Sequence, residues 1–375
     1  MTAFAAALAV LSLLALASVF ATALVIPPLP ADPPEPPGGW PMVSVVIPAR
    51  DEERDVERAV ISHLECDYPA FEVIVVDDRS VDSTPRILGR LAAGHSRMKV
   101  VLGEEPPPGW LGKPHALREG ARHANGRWLL FADADVLYGR CALRSAVSVA
   151  CRQRLDHAAL LPRFVTRGFW EAVLMPNLYA VVYLGGGFLL NRDRQGTWAI
   201  GGGAGNLVAR DAYDAIGGHE ALRDRVIDDV ALATEVRRSG LKSRGLTAFD
   251  SVSVRMYRGF SEIFEGFTKN LGFMTDSAVP LVALVAGSLL LALTPYALLF
   301  SGKERVRLLA VAAIVLTFLG RAAASRITRM PVWASLFHPV MVAVWGAIAV
   351  RSIWRRWVQG RVVWRGRSSP ARDAR

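Results

Sequence analysis

The sequence has little cysteine and, over its first 49 residues, no basic side chain. Three of the 375 residues are cysteines, and Cys66, Cys141 and Cys151 form no C-x-x-C pair. This excludes the disulfide framework that stabilises small secreted domains. The 22 prolines and 32 glycines are too few for a low-complexity chain. The first lysine or arginine is Arg50, so the basic start of a cleaved signal peptide is missing.

Hydrophobic residues make up 52% of the chain and are concentrated in long runs. In residues 1–26 the uncharged run Thr2–Ile26 is long enough to cross a hydrocarbon core of about 30 Å. We interpret it as an uncleaved transmembrane helix, with a cleaved signal peptide as the alternative. Because the positive charge lies downstream, we expect a multi-pass protein of the inner or plasma membrane whose next domain faces the cytoplasm.

Residues 277–350 are predicted to form a C-terminal transmembrane region of two or three helices. The runs Ser277–Phe300 and Val332–Val350 are long and uncharged, whereas Leu308–Ala324 is short and contains Arg321. If all three runs cross the membrane, the basic end of the chain lies opposite the cytoplasmic domain, which the positive-inside rule disfavours. The sequence leaves the number of crossings open.

The tail, residues 351–375, holds eight arginines and one aspartate, and so carries most of the net charge of +10. Basic residues mixed with tryptophan are found in nucleic-acid-binding segments and also beside membranes. Because this tail directly follows an apolar run, we expect it to contact anionic membrane lipids, and we expect no nucleic-acid partner.

Residues 27–41 and 42–273 lie between the apolar runs. The first segment has eight prolines in fifteen residues, which predicts a stiff extended linker that holds the following domain off the bilayer. In the second, short β-branched runs alternate with helical patterns. Strands are expected at Val43–Ile47, Phe71–Val76, Met98–Leu102 and Trp128–Phe131, and helices at Glu52–Leu64, from Asp82 onward, and at Pro114–Ala124. This order predicts an α/β domain with a mostly parallel, doubly wound sheet.

Polar clusters follow three of the predicted strands, at the edge where such sheets bind ligands. They are Arg50-Asp51-Glu52, Asp77-Asp78 and Asp133-Ala134-Asp135. In an extended segment the last two aspartates point the same way, and paired carboxylates suit Mg²⁺ or Mn²⁺ with phosphate partners.

Asp77-Asp78 can also form a turn before the next helix. Asp82 and Ser83 can cap that helix themselves, which leaves Asp78 free for a ligand.

Asp228-Asp229 precedes a further helical stretch and has two interpretations. Acidic residues are stabilised at a helix N-terminus, and a carboxylate beside a sugar donor can also act as a general base. Lys113 also has two interpretations: it is either an ordinary loop lysine or a residue that binds phosphate.

Together these residues resemble the family 2 glycosyltransferases with a GT-A fold. The resemblance runs over residues 42–273 through five ordered motifs: Val43–Asp51, Val75–Asp82, Gly112–Leu117, Phe131–Asp135 and Asp228-Asp229-x-x-Leu232. It implies a nucleotide-diphospho-sugar transferase with a Rossmann-like, mostly parallel sheet, here with flanking transmembrane helices. It also implies a divalent cation, Mg²⁺ or Mn²⁺, and a UDP-sugar donor.

The resemblance carries roles onto individual positions. Nucleotide-sugar binding falls to Pro48, Arg50, Glu52, Asp77, Asp78, Lys113, Asp133 and Arg258. Asp135 and Asp133 are the implied metal ligands, and Asp229 is the implied base, with Asp228 beside it. Proton removal by Asp229 and one in-line displacement predict inversion at the anomeric carbon. Lys113 or Arg258 would neutralise charge on the departing diphosphate.

Finer resemblance points to the membrane glycosyltransferases of bacterial carotenoid and hopanoid pathways. It rests on Trp110–Pro114, Gly201–Gly218, Arg255–Phe260 and Glu265–Asn270, and implies an isoprenoid-type lipid acceptor. The Q-x-x-R-W motif of processive synthases is absent, so polymer synthesis is not expected. The chain departs from the family in having Asp51 where asparagine is usual and Asp228 where glutamate is frequent. A polyprenyl-phosphate acceptor and a catalytically silent membrane scaffold remain as alternatives.

Two further apolar segments lie inside residues 42–273. Phe169–Leu190 could pass for a spanning helix, but a shared site for Asp133 and Asp229 requires it to be interfacial or buried. Phe260, Phe264 and Phe267 recur at helical spacing, which predicts either packing on the sheet or contact with the bilayer. Together the two segments are expected to form an apolar entrance for a lipid acceptor.

Overall fold

The computed structural model describes residues 1–191, 199–273 and 277–359, and the backbone of two short strands beyond them. The chain divides into two compact units. Unit 1 comprises Met1–Leu24, Thr166–Phe188 and Tyr257–Arg375, and unit 2 comprises Val25–Val165 and Leu189–Met256. Unit 2 contains every polar cluster singled out in the sequence except Arg258.

The secondary structure of the described residues alternates in unit 2 and is helical in most of unit 1. The helices are α1 (Thr2–Val25), α2 (Val56–Leu64), α3 (Thr84–Gly94), α4 (Gly112–Arg122), α5 (Ala142–Arg152), α6 (Phe169–Leu174), α7 (Pro176–Leu184), α8 (Gly187–Leu190), α9 (Arg210–Ala215), α10 (Asp228–Arg238), α11 (Gly259–Leu271), α12 (Ala278–Leu298), α13 (Glu304–Ile327) and α14 (His338–Ile353). The strands are β1 (Val43–Ala49), β2 (Phe71–Asp77), β3 (Met98–Leu102), β4 (Trp128–Phe131), β5 (Val136–Tyr138), β6 (His157–Leu161), β7 (Arg163–Phe164), β8 (Asn206–Ala209), β9 (Ser243–Thr247), β10 (Val252–Val254), β11 (Arg361–Trp364) and β12 (Arg367–Pro370).

A seven-stranded, mostly parallel sheet forms the centre of unit 2. Its strand order is β3-β2-β1-β4-β8-β6-β9, and β8 runs antiparallel to both of its neighbours. The α/β prediction is confirmed, and β3 and β4 have the predicted bounds. Strand β1 continues through Pro48 to Ala49, because its pairing with β4 ends at Val46 and no N–H is needed there. Helix α2 begins at Val56 rather than at Glu52.

The sheet is covered by helices on both faces, which explains why its strands are almost continuously hydrophobic. Val45 and Leu130 pack into the core beneath α2, α3 and α5, whereas Val46 and Leu129 pack into the core beneath α4 and α10. Alternation along each strand thus fills both cores. The loops at the carboxyl ends of the strands are left to carry the polar clusters.

The proline-rich segment, residues 27–41, is extended but lies along unit 2. The Leu29 N–H donates to the Thr247 carbonyl at 2.9 Å, at the outer edge of β9. The Ser145 and Ser148 hydroxyls donate to proline carbonyls of the segment at 2.6 and 2.5 Å. The expectation of a free-standing spacer is therefore wrong, because proline lacks only the N–H donor and keeps a carbonyl acceptor.

Unit 1 holds the long apolar helices. Among the described residues, four segments have the length and composition to cross a membrane: Thr2–Val25, Ala278–Leu298, Glu304–Ile327 and Val332–Val358. The third is longer than the apolar run in the sequence, because its helix continues through charged residues at both ends. The fourth combines a 3-10 helix (Val332–Phe337), α14 and a short π-helix.

The segment Phe169–Leu190 is broken into three short helices. Pro176 begins α7, and the apolar stretch Phe169–Leu184 is shorter than the four candidate spans. The Ser18 hydroxyl of α1 donates to the Tyr183 carbonyl at 2.8 Å, and Tyr183 is fully buried. Most of the segment, as far as Phe188, therefore belongs to unit 1 and packs on α1.

Helix α11 packs on α14 and α6, whereas the sequence allowed packing on the sheet. The rings of Phe267 and Trp345 lie 4.5 Å apart, centroid to centroid. Glu265 accepts ion pairs from Arg351 at 2.6 Å and from Arg355 at 2.8 Å. Two arginines of the predicted lipid-binding tail are therefore paired within the protein.

Candidate active site

Asp78 follows β2 and is held by two arginines. Arg50, at the end of β1, donates to the Asp78 carbonyl at 3.1 Å and to Oδ2 at 3.2 Å. Arg79 donates to Oδ1 through Nε at 3.1 Å and Nη2 at 2.9 Å. Asp82 caps α3 by accepting the Thr84 N–H at 2.8 Å, as predicted. Asp78 is nevertheless not free of protein partners, and that expectation is wrong.

The two loops that carry Arg50 and Asp78 brace each other. Asp51 and Arg79 adopt left-handed backbone conformations, with φ of +52° and +56°. The Asp51 N–H donates to the Ser80 hydroxyl at 3.0 Å, and Asp51 Oδ1 accepts the Val81 N–H at 2.8 Å. Asparagine and aspartate both tolerate this conformation and both offer an oxygen acceptor, so asparagine at this position could accept the same hydrogen bond. Asp77 Oδ1 accepts the Ser80 N–H at 3.1 Å and closes the turn.

Asp133 and Asp135 follow β4 in a turn rather than in an extended segment. The Asp133 N–H donates to the Gly203 carbonyl at 2.8 Å, and the Val136 N–H donates back to the Asp133 carbonyl at 3.3 Å. The strand-alternation argument for this pair is therefore wrong. Burial, and then the charges of Asp133 and Glu52, raise the pKa of Asp135 to about 8.

Lys113 connects the two acidic pairs. Its Nζ lies 2.8 Å from Asp133 Oδ1 and 3.3 Å from Asp228 Oδ1. Burial lowers the pKa of Lys113, but Asp133, Asp228 and Asp229 outweigh burial and hold it well above its ordinary value. The structure thus brings residues from the ends of β4, α4 and α10 to one point, which the sequence predicted for a shared site.

Asp228 and Asp229 form the first turn of α10. Burial raises the pKa of Asp228 to about 6, with Lys113 opposing the rise and Asp229 adding to it. Burial also raises the pKa of Asp229, which accepts the N–H of Val230 at 2.8 Å. The pair thus occupies the helix N-terminus and Asp228 also meets Lys113, while the general-base role of Asp229 stays a prediction.

A glycine-rich segment, residues 201–205, passes between Asp133 and Asp229. A Cβ on Gly203 would lie within 3 Å of the Asp133 carboxylate, and one on Gly201 within 3 Å of the Asp229 carbonyl oxygen. A side chain at either position would displace an acidic residue. In the sequence this run indicates only a family resemblance, and no local pattern shows that it fits closely against both acids.

Buried side chains behind the glycine segment hold its backbone. Asn206 donates to the Gly202 carbonyl at 3.2 Å, and the Tyr138 hydroxyl donates to the Ala204 carbonyl at 2.8 Å. His157 Nε2 lies 2.9 Å from Asn206 Oδ1, and burial lowers the pKa of His157 to about 4. No local pattern marks these residues, because His157 and Asn206 are 49 residues apart.

The donors fit a divalent cation that completes its shell with phosphate oxygens. Within the described ranges, no three His, Cys, Asp or Glu residues are grouped to hold a metal by themselves. Mg²⁺ in phosphoryl-ligand sites commonly takes one or two carboxylates together with substrate phosphates. Asp133 and Asp135 supply two carboxylates, and the raised pKa of Asp135 shows that positive charge would be stabilising there.

The remaining sequence-predicted residues are spread more widely. Pro48 lies in β1 beside Val76, and the Glu52 N–H donates to the Thr84 hydroxyl at 2.8 Å. Arg258 belongs to unit 1, where it precedes α11 and its N–H donates to Glu262 at 2.8 Å. A nucleotide-binding role for these residues stays a prediction.

Comparison with known proteins agrees with this geometry. Residues 44–217 match the family described as Glycosyl transferase family 2, and Asp228-Asp229 lies beyond the matched range. A curated relative, the 4,4'-diaponeurosporenoate glycosyltransferase of Staphylococcus aureus (strain USA300), is 29% identical over 236 residues. The match covers 61% of this chain and 60% of that relative.

A solved structure shares the fold. Mannosyltransferase PcManGT from Pyrobaculum calidifontis, in complex with GDP-Man and Mn²⁺, superposes with a TM-score of 0.56 at 20% identity. The alignment covers 94% of this chain and 99% of that one. The ordered motifs, the sheet topology and the family match together identify residues 44–217 as a glycosyltransferase domain of family 2 with a GT-A fold.

Proposed function

We propose that this chain is a membrane-bound, inverting glycosyltransferase that moves a sugar from a nucleotide-diphosphate sugar to an isoprenoid-type lipid, one sugar at a time. The observation that carries the proposal is the meeting of Asp133 and Asp228 at Lys113, with Asp229 adjacent, in a family 2 domain. The named substrate of the curated relative, a carotenoid acid, supports an isoprenoid acceptor.

The donor nucleotide, which we infer to be part of a UDP-sugar, would lie over the ends of β1 and β2. The Arg50–Asp78 pair and the bonds of Asp51 to the neighbouring loop hold this edge rigid. Gly112 keeps the edge open, since a Cβ there would lie 2.7 Å from Asp78 Oδ2. A preorganised platform of this kind reduces the entropy lost on binding.

In the transfer step, Asp229 accepts the proton of the attacking acceptor oxygen. Lys113 keeps Asp133 and Asp228 in place, and the glycine segment sets the separation of Asp133 and Asp229. A cation bound by Asp133 and Asp135 would supply charge neutralisation for the diphosphate. Attack on the face opposite the leaving group inverts the anomeric carbon, and no protein nucleophile is required.

The acceptor side of the proposal rests on unit 1. Its four long apolar helices support a multi-pass membrane protein. The absence of basic residues before Arg50 supports a transferase domain on the cytoplasmic side. Aromatic rings of α6, α11 and the 3-10 helix pack together: Trp170 lies 4.9 Å from Phe260, and Phe169 lies 5.1 Å from Phe337. Such a cluster suits the apolar body of an isoprenoid chain.

The proposal is tested by incubating membranes that contain the chain with a panel of radiolabelled nucleotide sugars and isoprenoid alcohols and acids. We expect one donor to label an isoprenoid product that mass spectrometry identifies. Asp229→Asn should reduce transfer by about 10²–10⁴-fold, because a general base contributes this much. Calorimetry should show unchanged donor binding by the variant.

Glu235→Gln is the matched control, since Glu235 lies at the other end of α10 and pairs with Arg238. It should transfer at the wild-type rate. Full activity of Asp229→Asn would refute the assignment of the base. If only polyprenyl phosphate were labelled, the acceptor would be a polyprenyl phosphate instead of the proposed isoprenoid alcohol or acid. If no lipid were labelled with any donor, the result would favour the scaffold alternative.

A further inference from the structure

Arg321 is buried among the helices of unit 1, and no acidic side chain in the described part of the chain pairs with it. Its residue is 8% exposed, and Nη2 lies 2.7 Å from the thioether sulfur of Met341. Among the described residues no carboxylate forms an ion pair with it. A thioether is a weak acceptor, whereas a guanidinium presents five N–H donors. The charge of Arg321 is therefore left without a matching anion.

Two further buried polar groups lie at the same end of α13. His338 begins α14 and is 5% exposed, and Ser335 is 7% exposed in the 3-10 helix that packs along α13. The charge of Arg321 is close enough to interact electrostatically with the His338 ring. His338 Nδ1 and Ser335 Oγ have no hydrogen-bond partner among the residues that the structure describes.

A buried cation next to unused donors is costly unless an anion joins it. The cost is greater in a membrane, where ionisable side chains mark binding sites or pathways. The planar guanidinium matches the oxygens of a carboxylate or phosphate through two parallel hydrogen bonds. The surroundings are apolar, since the outward faces of α12 and α13 expose leucine and valine side chains.

We propose that Arg321, His338 and Ser335 bind the oxyanion of a membrane lipid, a phosphate or carboxylate carried on a hydrocarbon chain. If α12 and α13 each cross the bilayer, the α13–α14 connection returns to the side from which α12 starts. The site then lies near the bilayer surface that faces α11, within reach of lipid headgroups. This inference concerns lipid binding and holds independently of sugar transfer.

Native mass spectrometry of the full chain in detergent tests the site, with four probes added separately. Phosphatidylglycerol carries a phosphate, retinoic acid a carboxylate, diacylglycerol no oxyanion, and inorganic phosphate no chain. We expect the wild type to retain one phosphatidylglycerol or retinoic acid, and Arg321→Gln to retain it at least tenfold more weakly. Diacylglycerol and inorganic phosphate should neither bind tightly nor compete.

Arg326→Gln is the matched control, because Arg326 lies on the same helix with an exposed side chain. It should bind like the wild type. Equal lipid retention by the wild type and Arg321→Gln would overturn the proposal, as would diacylglycerol binding as tight as that of phosphatidylglycerol. If inorganic phosphate displaced the bound lipid, the site would be assigned to free phosphate, and the proposal of a lipid ligand would be wrong.

Ser335→Ala and Arg321→Lys keep the test decisive if Arg321→Gln fails to fold, as judged by size-exclusion chromatography. Ser335→Ala removes a donor with little change in volume and should weaken retention about threefold. Arg321→Lys keeps the charge but loses the two parallel hydrogen bonds of a guanidinium, so it should retain less lipid than the wild type. Unchanged retention in Ser335→Ala and Arg321→Lys would contradict the site. No donor sugar is present, so a negative result leaves the transfer proposal untouched.

Discussion

Two acidic clusters lie at the carboxyl edge of the same sheet, and they are neutralised very differently. In the first, Asp78 lies between Arg50 and Arg79 with all three side chains within hydrogen-bond distance. In the second, Lys113 alone bridges Asp133 and Asp228, and Asp135 has a pKa raised to about 8. In the first cluster two arginines thus meet one carboxylate, whereas in the second the described side chains include one lysine beside several carboxyl groups whose pKa values are raised.

This difference separates the proposed donor platform from the proposed reaction centre. A carboxylate whose hydrogen bonds and charge are satisfied by arginines holds its loop in place and gains little from binding a further cation. Carboxylates that lack a cation in a partly buried site lower the stability of the unbound protein. A bound cation removes this cost, so the stability lost in the unbound protein is recovered as affinity for the cation. The comparison predicts that changes in the second cluster affect activity most, and that changes in the first affect stability mildly.

Asp135→Asn should give the largest effect. It removes one of two carboxylates proposed to hold the cation, and transfer should fall by about 10²-fold or more. The same variant should be more stable than the wild type in a chelating buffer, because it removes a carboxyl group whose charge is disfavoured by burial and by the nearby Asp133 and Glu52. Product formation and thermal unfolding check both halves. A stability loss together with full activity would contradict the comparison.

Removing one cation from each cluster compares them directly. Lys113→Met leaves Asp133 and Asp228 without their shared partner and should lower the free energy of unfolding by about 2–4 kcal/mol. Arg79→Met leaves Asp78 paired with Arg50 and should cost about 1 kcal/mol. The two side chains are similarly exposed, at 26% and 21%, which makes them a matched pair. Equal losses in urea denaturation would show that the clusters do not differ.

The second cluster should also give the chain a distinctive pH dependence in the absence of divalent cations. Asp135 binds a proton more tightly in the folded chain, with a pKa of about 8, than at its ordinary value of 3.8. Its contribution to stability is therefore present below pH about 4 and lost as the pH rises through about 8. Thermal midpoints in a chelating buffer should fall over this range, and Asp135→Asn should flatten the curve. A wild-type midpoint that rises with pH would contradict the sign.

Alanine at two neighbouring glycines should affect stability unequally, and one of the two substitutions should give the smallest effect. Gly203→Ala places a methyl group against the Asp133 carboxylate and should cost about 1–3 kcal/mol by overpacking. Gly202→Ala meets open space, with nothing within 4 Å, and should change stability by about 0.5 kcal/mol or less. Urea denaturation of the two variants measures the difference. Similar losses would mean that the segment does not fit closely against Asp133.

Much of unit 2 could be predicted from the sequence because its signals are local. Short β-branched runs ended by polar residues located β2, β3 and β4 within one residue, and the carboxyl-edge rule placed Asp78 and Asp133 on the correct side of the sheet. Local signals failed where partners come from afar. Arg50 meets Asp78 across 28 residues, and no pattern near either one announces the contact.

Unit 1 shows the opposite limit of sequence reasoning. Its apolar runs marked the long helices, but the uncharged run in α13 is shorter than the helix itself. Helices can continue through charged residues at their ends, as α13 does. The run Phe169–Leu190 resembled a span until Pro176 and packing against α1 divided it into short helices. Burial of Arg321 could not be read from composition.

The sequence by itself determined the alternation of strands and helices, the apolar runs, and the identity of the acids at the sheet edge. Periodicity and residue type suffice for these, because each depends on neighbours within one element. The tertiary structure decided which acids are neutralised: Asp78 by two arginines, Asp133 and Asp228 by Lys113, and Asp135 by none of the described side chains. Charge balance is a sum over groups brought together by folding, so only folding could distinguish the proposed donor platform from the proposed reaction centre.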